Sequence, residues 1–320
     1  MYIEINNKYR PYIAQWLLVM FSLVSIMIII GGLTRLTDSG LSITEWEFFR
    51  GFFPPMSKST WVEYFDAYKK IPEFQLQNYS MSLSEFKIIF WWEWFHRFFG
   101  RLIGLCFLLP LIFFSFKIKL INLLHLYLIF LLICFQGFIG WYMVSSGLVD
   151  RVDVSHYRLS VHLLIAFLIL SLILWNYLKL IEIKGTLKKL NPIIPLLFIF
   201  LIFTQIVIGA FVSGMDAGKI YNSWPLMGNS YFPDDNNIIN LFKLSAFNDP
   251  SLVQFIHRNL AYTIVIFYLF MVYKIYKGKL FGLYKSVNLL GLLLIFQIIL
   301  GIITVVYGAQ IYIASVHQIS

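Results

Sequence analysis

Residues 87–116 read KIIFWWEWFHRFFGRLIGLCFLLPLIFFSF, an apolar run longer than the ~20 residues that an α-helix needs to cross a bilayer. Strands of an outer-membrane barrel would instead alternate apolar and polar side chains over about ten residues. With 59% hydrophobic and 13% charged residues among 320 positions, the sequence predicts an all-α integral membrane protein. Six more long apolar runs occupy residues 12–32, 120–144, 157–179, 192–214, 251–275 and 286–308.

An eighth apolar segment begins near Ala309 and ends with the chain at Ser320. At ~1.5 Å per residue it would extend about 18 Å, which is less than the ~30 Å thickness of a hydrocarbon core. We therefore expect eight transmembrane helices, of which the last is truncated.

Charge predicts the orientation of these helices. If the N-terminus is cytoplasmic, the cytoplasmic segments hold twelve basic residues against two acids, Glu4 and Glu182, and most acids fall in the opposite loops. This is the positive-inside pattern, so the net charge of +9 indicates orientation and contact with membrane lipid, and it argues against a nucleic-acid partner. The twelve basic residues are Lys8, Arg10, Lys117, Lys119, Lys179, Lys184, Lys188, Lys189, Lys274, Lys277, Lys279 and Lys285.

The chain also repeats itself. GGLTRLTDSGLSITEW (31–46) follows the first run, and GAFVSGMDAGKIYNSW (209–224) follows the fifth. Because an even number of spans keeps both halves in one orientation, the repeat predicts two four-helix bundles, residues 1–185 and 186–320, related by a pseudo-twofold axis along the membrane normal. The matched pairs are Gly31/Gly209, Asp38/Asp216, Gly40/Gly218, Trp46/Trp224, His96/His257, Arg97/Arg258, Gln136/Gln297, Gly140/Gly301 and His162/His317.

Four of the six histidines, His96, His162, His257 and His317, lie on the even-numbered spans at similar predicted depth. Ionisable residues at such depth are costly and usually functional. A single histidine would more readily be explained by a helix–helix hydrogen bond, but two matched pairs favour bis-histidine ligation of haem iron. Carboxylates and thiolates are missing from the equivalent positions, which disfavours zinc or di-iron.

The neighbours of these histidines suit a flat, acidic ligand. Small residues follow one turn after three of them, at Gly100, Ala166 and Ala261, which leaves room for a porphyrin, although close helix packing would explain the same pattern. Arginines near the outer helix ends are candidates to bind haem propionates or, alternatively, to snorkel to the interface. These arginines are Arg97, Arg101, Arg158 and Arg258.

One asymmetry separates the halves. Glu93 precedes His96 by three residues, and the equivalent position of the second half holds Gln254. A carboxylate beside one site only suggests that the first half performs chemistry and the second carries electrons. The alternative is an interfacial carboxylate paired with Arg97.

Three segments carry a resemblance to a known family: residues 31–46, EFKIIFWWEWFHRFFGRLIGL (85–105) and GWYMVSSGLVDRVDVSHYRLSVHL (140–163). The chain resembles the haem A synthase family, membrane enzymes that oxidise a methyl group of haem O to a formyl group and so supply haem A to cytochrome oxidase. The absence of a cysteine pair in the outer loops places the resemblance with the bacterial and mitochondrial branch.

The resemblance implies a role for each candidate residue. His257 and His317 match the axial ligands of a haem b cofactor, His96 and His162 match the histidines of the substrate-haem half, and Glu93 matches a catalytic acidic residue. It also implies a bacterial inner-membrane location, haem O synthase (protohaem farnesyltransferase) and an electron donor as partners, and compatibility with a homo-oligomer. The family's last helix continues well beyond the second-half histidine, so we expect the truncated helix here to hold His317 more loosely.

Two other functions compete with this interpretation. A di-haem electron-transfer protein of the cytochrome b561 type would also use paired intramembrane histidines. A transporter would also show repeated halves, but the spans lack the mid-helix breaks that transporters use.

Overall fold

The computed structural model describes residues 8–46, 50–149, 151–181 and 190–319, and within these ranges it is helical with no β-strand. The chain is therefore all-α, as predicted. Several charged residues used to predict orientation lie outside the described residues, as does the predicted boundary between residues 185 and 186. They are Glu4, Glu47, Asp150, Glu182, Lys184, Lys188 and Lys189.

Seven described helices are long and apolar enough to cross a membrane, and each coincides with a predicted span. They are α1 (Arg10–Leu36), α4 (Leu83–Ser115), α5 (Leu120–Gly147), α6 (His156–Leu180), α7 (Ile193–Gly214), α8 (Pro250–Lys277) and α9 (Phe281–Val306). The shorter helices are α2 (Lys58–Tyr68), α3 (Pro72–Leu76) and α10 (Ile311–Ile319). Because α10 has nine residues, an eighth transmembrane helix stays a prediction.

The chain divides into two compact units, Met1–Ile183 and Lys184–Ser320. In the first unit α1 packs against α4 and α6, and α5 packs against the same two helices. This order places α4 and α6 at opposite corners of a four-helix bundle. The core between the helices includes Leu17, Phe107, Leu123 and Ile173, all of which are buried.

The second unit has a related order. α7 packs on α8, α8 packs on α9, and α9 packs on α10. Both α8 and α10 therefore lie beside α9. Among the described residues, the extensive packing of α1 on α6 has no counterpart of that extent between α7 and α10.

A cap of two short helices, α2 and α3, covers the N-terminal end of α4. On α2, the side chains of Trp61, Phe65 and Tyr68 are buried. These rings pack against Phe86 and Phe90 of α4. The apolar face of α2 is therefore covered by the protein itself.

The repeat is visible in the backbone as well as in the sequence. Asp38 follows α1 with φ 48° and its match, Asp216, follows α7 with φ 52°. The left-handed region is rare outside glycine, and aspartate is among the residues that tolerate it. The same kind of turn therefore follows α1 and α7.

Candidate functional site

The structure brings the histidines together as two pairs, one in each unit. His96 lies on α4 and His162 on α6, the opposite corners of the first bundle, and the two imidazoles are close enough for a charge on one to affect the other. His257 on α8 and His317 on α10 interact in the same way in the second unit. The four side chains are half-buried.

Each imidazole lies against a glycine of the preceding long helix. A Cβ added to Gly31 would lie 3.0 Å from Cε1 of His96, and the same contact would be 3.0 Å for Gly140 and His162. In the second unit it would be 3.2 Å for Gly209 and His257 and 3.0 Å for Gly301 and His317. These distances are shorter than ordinary van der Waals contact, so any larger residue would displace the ring. The repeat had matched these glycines without revealing that they face the histidines.

The imidazoles fit a bound haem. Nδ1 of His96, His162 and His257 is buried without a hydrogen-bond partner, although buried polar atoms are normally satisfied. In the described part of the chain, no three His, Cys, Asp or Glu side chains converge as they would around a protein-only metal site. A pair of histidines needs a ligand that supplies further donors to iron, and porphyrin supplies four nitrogens.

Glu93 is almost fully buried, with 2% of its surface exposed. Its Oε2 accepts hydrogen bonds from Ser42 Oγ at 2.7 Å and from the Ile43 amide at 2.8 Å, and its Oε1 accepts one from Arg97 at 2.5 Å. The ion pair between Glu93 and Arg97, which the sequence allowed as the alternative to a catalytic role, is therefore present. The carboxylate fastens the loop after α1 onto α4, three residues before His96.

The second unit holds its corresponding loop by similar hydrogen bonds, but without a buried carboxylate. Arg97 donates to the Ile43 carbonyl at 3.0 Å, and Arg258 donates to the matched Tyr221 carbonyl at 3.0 Å. Gln254, which replaces the carboxylate, donates to that same carbonyl at 3.0 Å. Both loops are thus held at corresponding points, and only the first has a buried negative charge there.

The four candidate arginines all contact outer segments of their own unit. Arg101 donates to the Gly51 carbonyl at 3.2 Å, and Arg97 and Arg101 line one small cavity. Arg158 donates to Ser146 Oγ, and its guanidinium lies 4.7 Å from the Tyr142 ring centroid. Arg258 binds the Ser223 carbonyl at 2.9 Å as well as that of Tyr221. Contacts of these arginines with propionates stay a prediction.

A second buried carboxyl, that of Glu73, lies in the cap and was not predicted from the sequence. Glu73 is 2% exposed, and its Oε2 is buried without a partner. Tyr68 donates a hydrogen bond to this carboxyl, and Asn78 donates to the Tyr68 hydroxyl at 2.8 Å. Burial, reinforced by the negative charge of Glu93, raises the pKa of Glu73 to about 8.

The chain is similar to known proteins over nearly its full length. Three relatives named Heme A synthase align over nearly the full chain. The one from Pelagibacter ubique is 49% identical and covers 98% of this chain and 94% of its own. Those from Rickettsia bellii and Parvibaculum lavamentivorans are 44% and 43% identical and cover 96% and 99% of this chain and 93% and 92% of their own.

A family model described as cytochrome oxidase assembly protein, COX15-CtaA, matches residues 14–320. The chain belongs to the COX15-CtaA family of cytochrome oxidase assembly proteins.

Proposed function

We propose that this chain is a haem A synthase that oxidises a methyl group of haem O to a formyl group and supplies haem A to cytochrome oxidase. The names of its relatives support this function over the electron-transfer alternative. The structural observation that carries the proposal is the pair of imidazoles in each unit, each wedged against a glycine.

The two units take different haems in this proposal. His96 and His162 hold the substrate haem in the first bundle, and His257 and His317 are the axial ligands of a haem b cofactor in the second. When bound, haem b supplies one-electron chemistry. The protein's own contribution is to orient both groups and to surround them with apolar helices that limit access of water.

Glu93 is the residue that distinguishes the substrate half chemically. We assign it a role as proton acceptor, or as the negative charge that stabilises a cationic intermediate of the substrate. Ser42, Ile43 and Arg97 fix its orientation through three hydrogen bonds, so that its charge stays in place without reorganisation. Gln254 offers no such charge, which agrees with a carrier role for the second half.

The remaining assignments follow from the same proposal. Arg97, Arg101, Arg158 and Arg258 contact propionates, Arg97 and Arg101 from the cavity that they share. The protein is a multi-pass protein of the bacterial inner membrane with its N-terminus in the cytoplasm. It receives haem O from haem O synthase and exchanges electrons with a separate donor or acceptor protein, and it is compatible with a homo-oligomer.

Co-expression with a haem O synthase tests the proposal. Haem extracted from those membranes should contain haem A, and H162A should abolish it. H257A should also abolish haem A and should remove the haem b absorption of the purified protein. Recovery of haem b alone from the wild-type chain would instead identify an electron carrier.

Replacement of Glu93 by Gln tests the catalytic assignment separately. We expect the E93Q protein to bind haem and to yield little haem A. A full yield of haem A would remove Glu93 from the mechanism.

A further inference from the structure

A glutamine lies one helical turn before three of the four contact glycines. On α5, Gln136 Nε2 donates to the backbone carbonyl of His162 at 2.9 Å. On α9, Gln297 Nε2 donates to the carbonyl of His317 at 2.8 Å. On α7, Gln205 Nε2 donates to the carbonyl of His257 at 3.2 Å and also lies 3.3 Å from its Nε2. On each of these three helices, one face therefore places a glycine against the imidazole ring and a glutamine amide against the backbone carbonyl of the same histidine.

The first helix breaks this pattern. Met27 takes the place of Gln205, four residues before the glycine that faces the histidine. A thioether has no hydrogen to donate, so α1 cannot bind the His96 carbonyl in this way. The Met27 methyl group instead lies 3.4 Å from the position that a Cβ would take on Gly100, one turn after His96.

The amide bond matters because it fixes a histidine from its backbone. A carbonyl oxygen has two lone pairs, so it can accept a helical hydrogen bond and a second one from a neighbouring helix. Interhelical hydrogen bonds in membranes stabilise packing enough to change an equilibrium by about three- to twentyfold. A histidine held in this way keeps its ring in place when its ligand dissociates, which favours rebinding over release.

We propose that this glutamine is a positioning residue for the haem ligands, and that Met27 in its place makes the first half release haem more readily than a glutamine would allow. The inference rests on the proposed function, in which the first half exchanges substrate and product while the second keeps its cofactor. One side chain, at the position of Met27 and Gln205, would then explain why the first half exchanges its haem and the second half retains it.

Haem release measures this effect. Purified full-length protein in detergent is loaded with ferric haem b and mixed with excess apomyoglobin, and the phase that H162A removes reports the first half. We expect M27Q to slow this phase about three- to twentyfold and the isosteric M27L to leave it unchanged. Q136L, which removes the amide facing His162, should accelerate the same phase by a similar factor.

The second half provides the converse test. Q205L should accelerate release of the haem held by His257 and shift its low-spin electron paramagnetic resonance signal, because the imidazole loses its fixed orientation. T204V is the matched control, since Thr204 neighbours Gln205 but bonds only within its own helix, to the Phe200 carbonyl at 2.9 Å. T204V should leave both readouts unchanged.

The outcomes separate this inference from the function on which it rests. Suppose that the wild-type protein binds haem in both halves, that M27Q releases haem as fast as M27L does, and that Q205L releases it as slowly as T204V does. In that case the positioning role is wrong and the enzyme assignment stands. If the wild-type protein takes up no haem through its histidines, the enzyme assignment and the positioning role both fail.

Discussion

The buried Glu73 carboxyl makes the stability of the outer cap depend on pH. Its pKa is about 8 in the folded protein, compared with an ordinary value of 4.5. Below pH 4.5 the folded and unfolded chains both hold this proton, so stability is full. Between pH 4.5 and 8 only the folded chain keeps the proton, and stability falls as pH rises. Above pH 8 the loss is complete.

The size of the effect follows from the same values. Each pH unit between a pKa of 4.5 and one of about 8 is worth ~1.4 kcal/mol, which gives at most ~5 kcal/mol for Glu73. Replacement by Gln keeps an acceptor for the Tyr68 hydroxyl and removes the titration. The charges of Glu93, Asp153 and Asp38 also raise the pKa of Glu73, so their protonation at low pH weakens the effect there.

The assay compares reversible unfolding of wild type and E73Q in mixed micelles at several values between pH 5 and 9. The free energy of unfolding of E73Q relative to wild type should rise from pH 5 to about pH 8 and level off above it. E63Q is the matched control because Glu63 lies on the exposed face of α2. If E73Q and wild type keep a constant difference from pH 5 to 9, Glu73 is not protonated in the folded cap and the reasoning is refuted.

Three further substitutions have expected outcomes. G140A should displace the facing imidazole and weaken low-spin haem binding at least tenfold, whereas G137A on the same helix meets no atom within 4 Å and should bind haem normally. E93Q should lower the free energy of unfolding by ~1.5–3 kcal/mol through loss of its charge-assisted hydrogen bond, measured against wild type in mixed micelles. G291A should destabilise the second unit by ~1–3 kcal/mol, because its Cβ would lie 2.0 Å from the Tyr268 hydroxyl, and Y268F should recover little because the ring still obstructs.

The transmembrane helices were predictable because a lipid environment leaves the backbone few choices. Any apolar run of sufficient length must satisfy its amides internally, so seven runs became seven helices. The start of α4 was missed by four residues, since the capping box of Ser82 and Glu85 extends the helix beyond the apolar run. That signal was present in the sequence, upstream of the apolar run that begins at residue 87.

The site was only partly predictable. Spacing along each helix paired the histidines, because depth in the membrane follows directly from position in a span. Contacts across helices do not follow from spacing, which explains why the glycines that face the rings were found only in the structure. Glu73 was missed for the same reason, since its burial depends on how a short helix in a long loop packs against α4.

Two differences between the halves now lie at corresponding positions of one shared frame. Glu93 puts a buried charge where Gln254 has an amide, and Met27 removes a donor where Gln205 has one. Both differences occur beside turns, arginines and contact glycines that the two halves share. A duplicated haem-binding bundle could acquire exchange and chemistry in one half through such changes while the other half kept a resident haem. Under the proposed function, the division of labour between the halves therefore lies in a few side chains around the histidines.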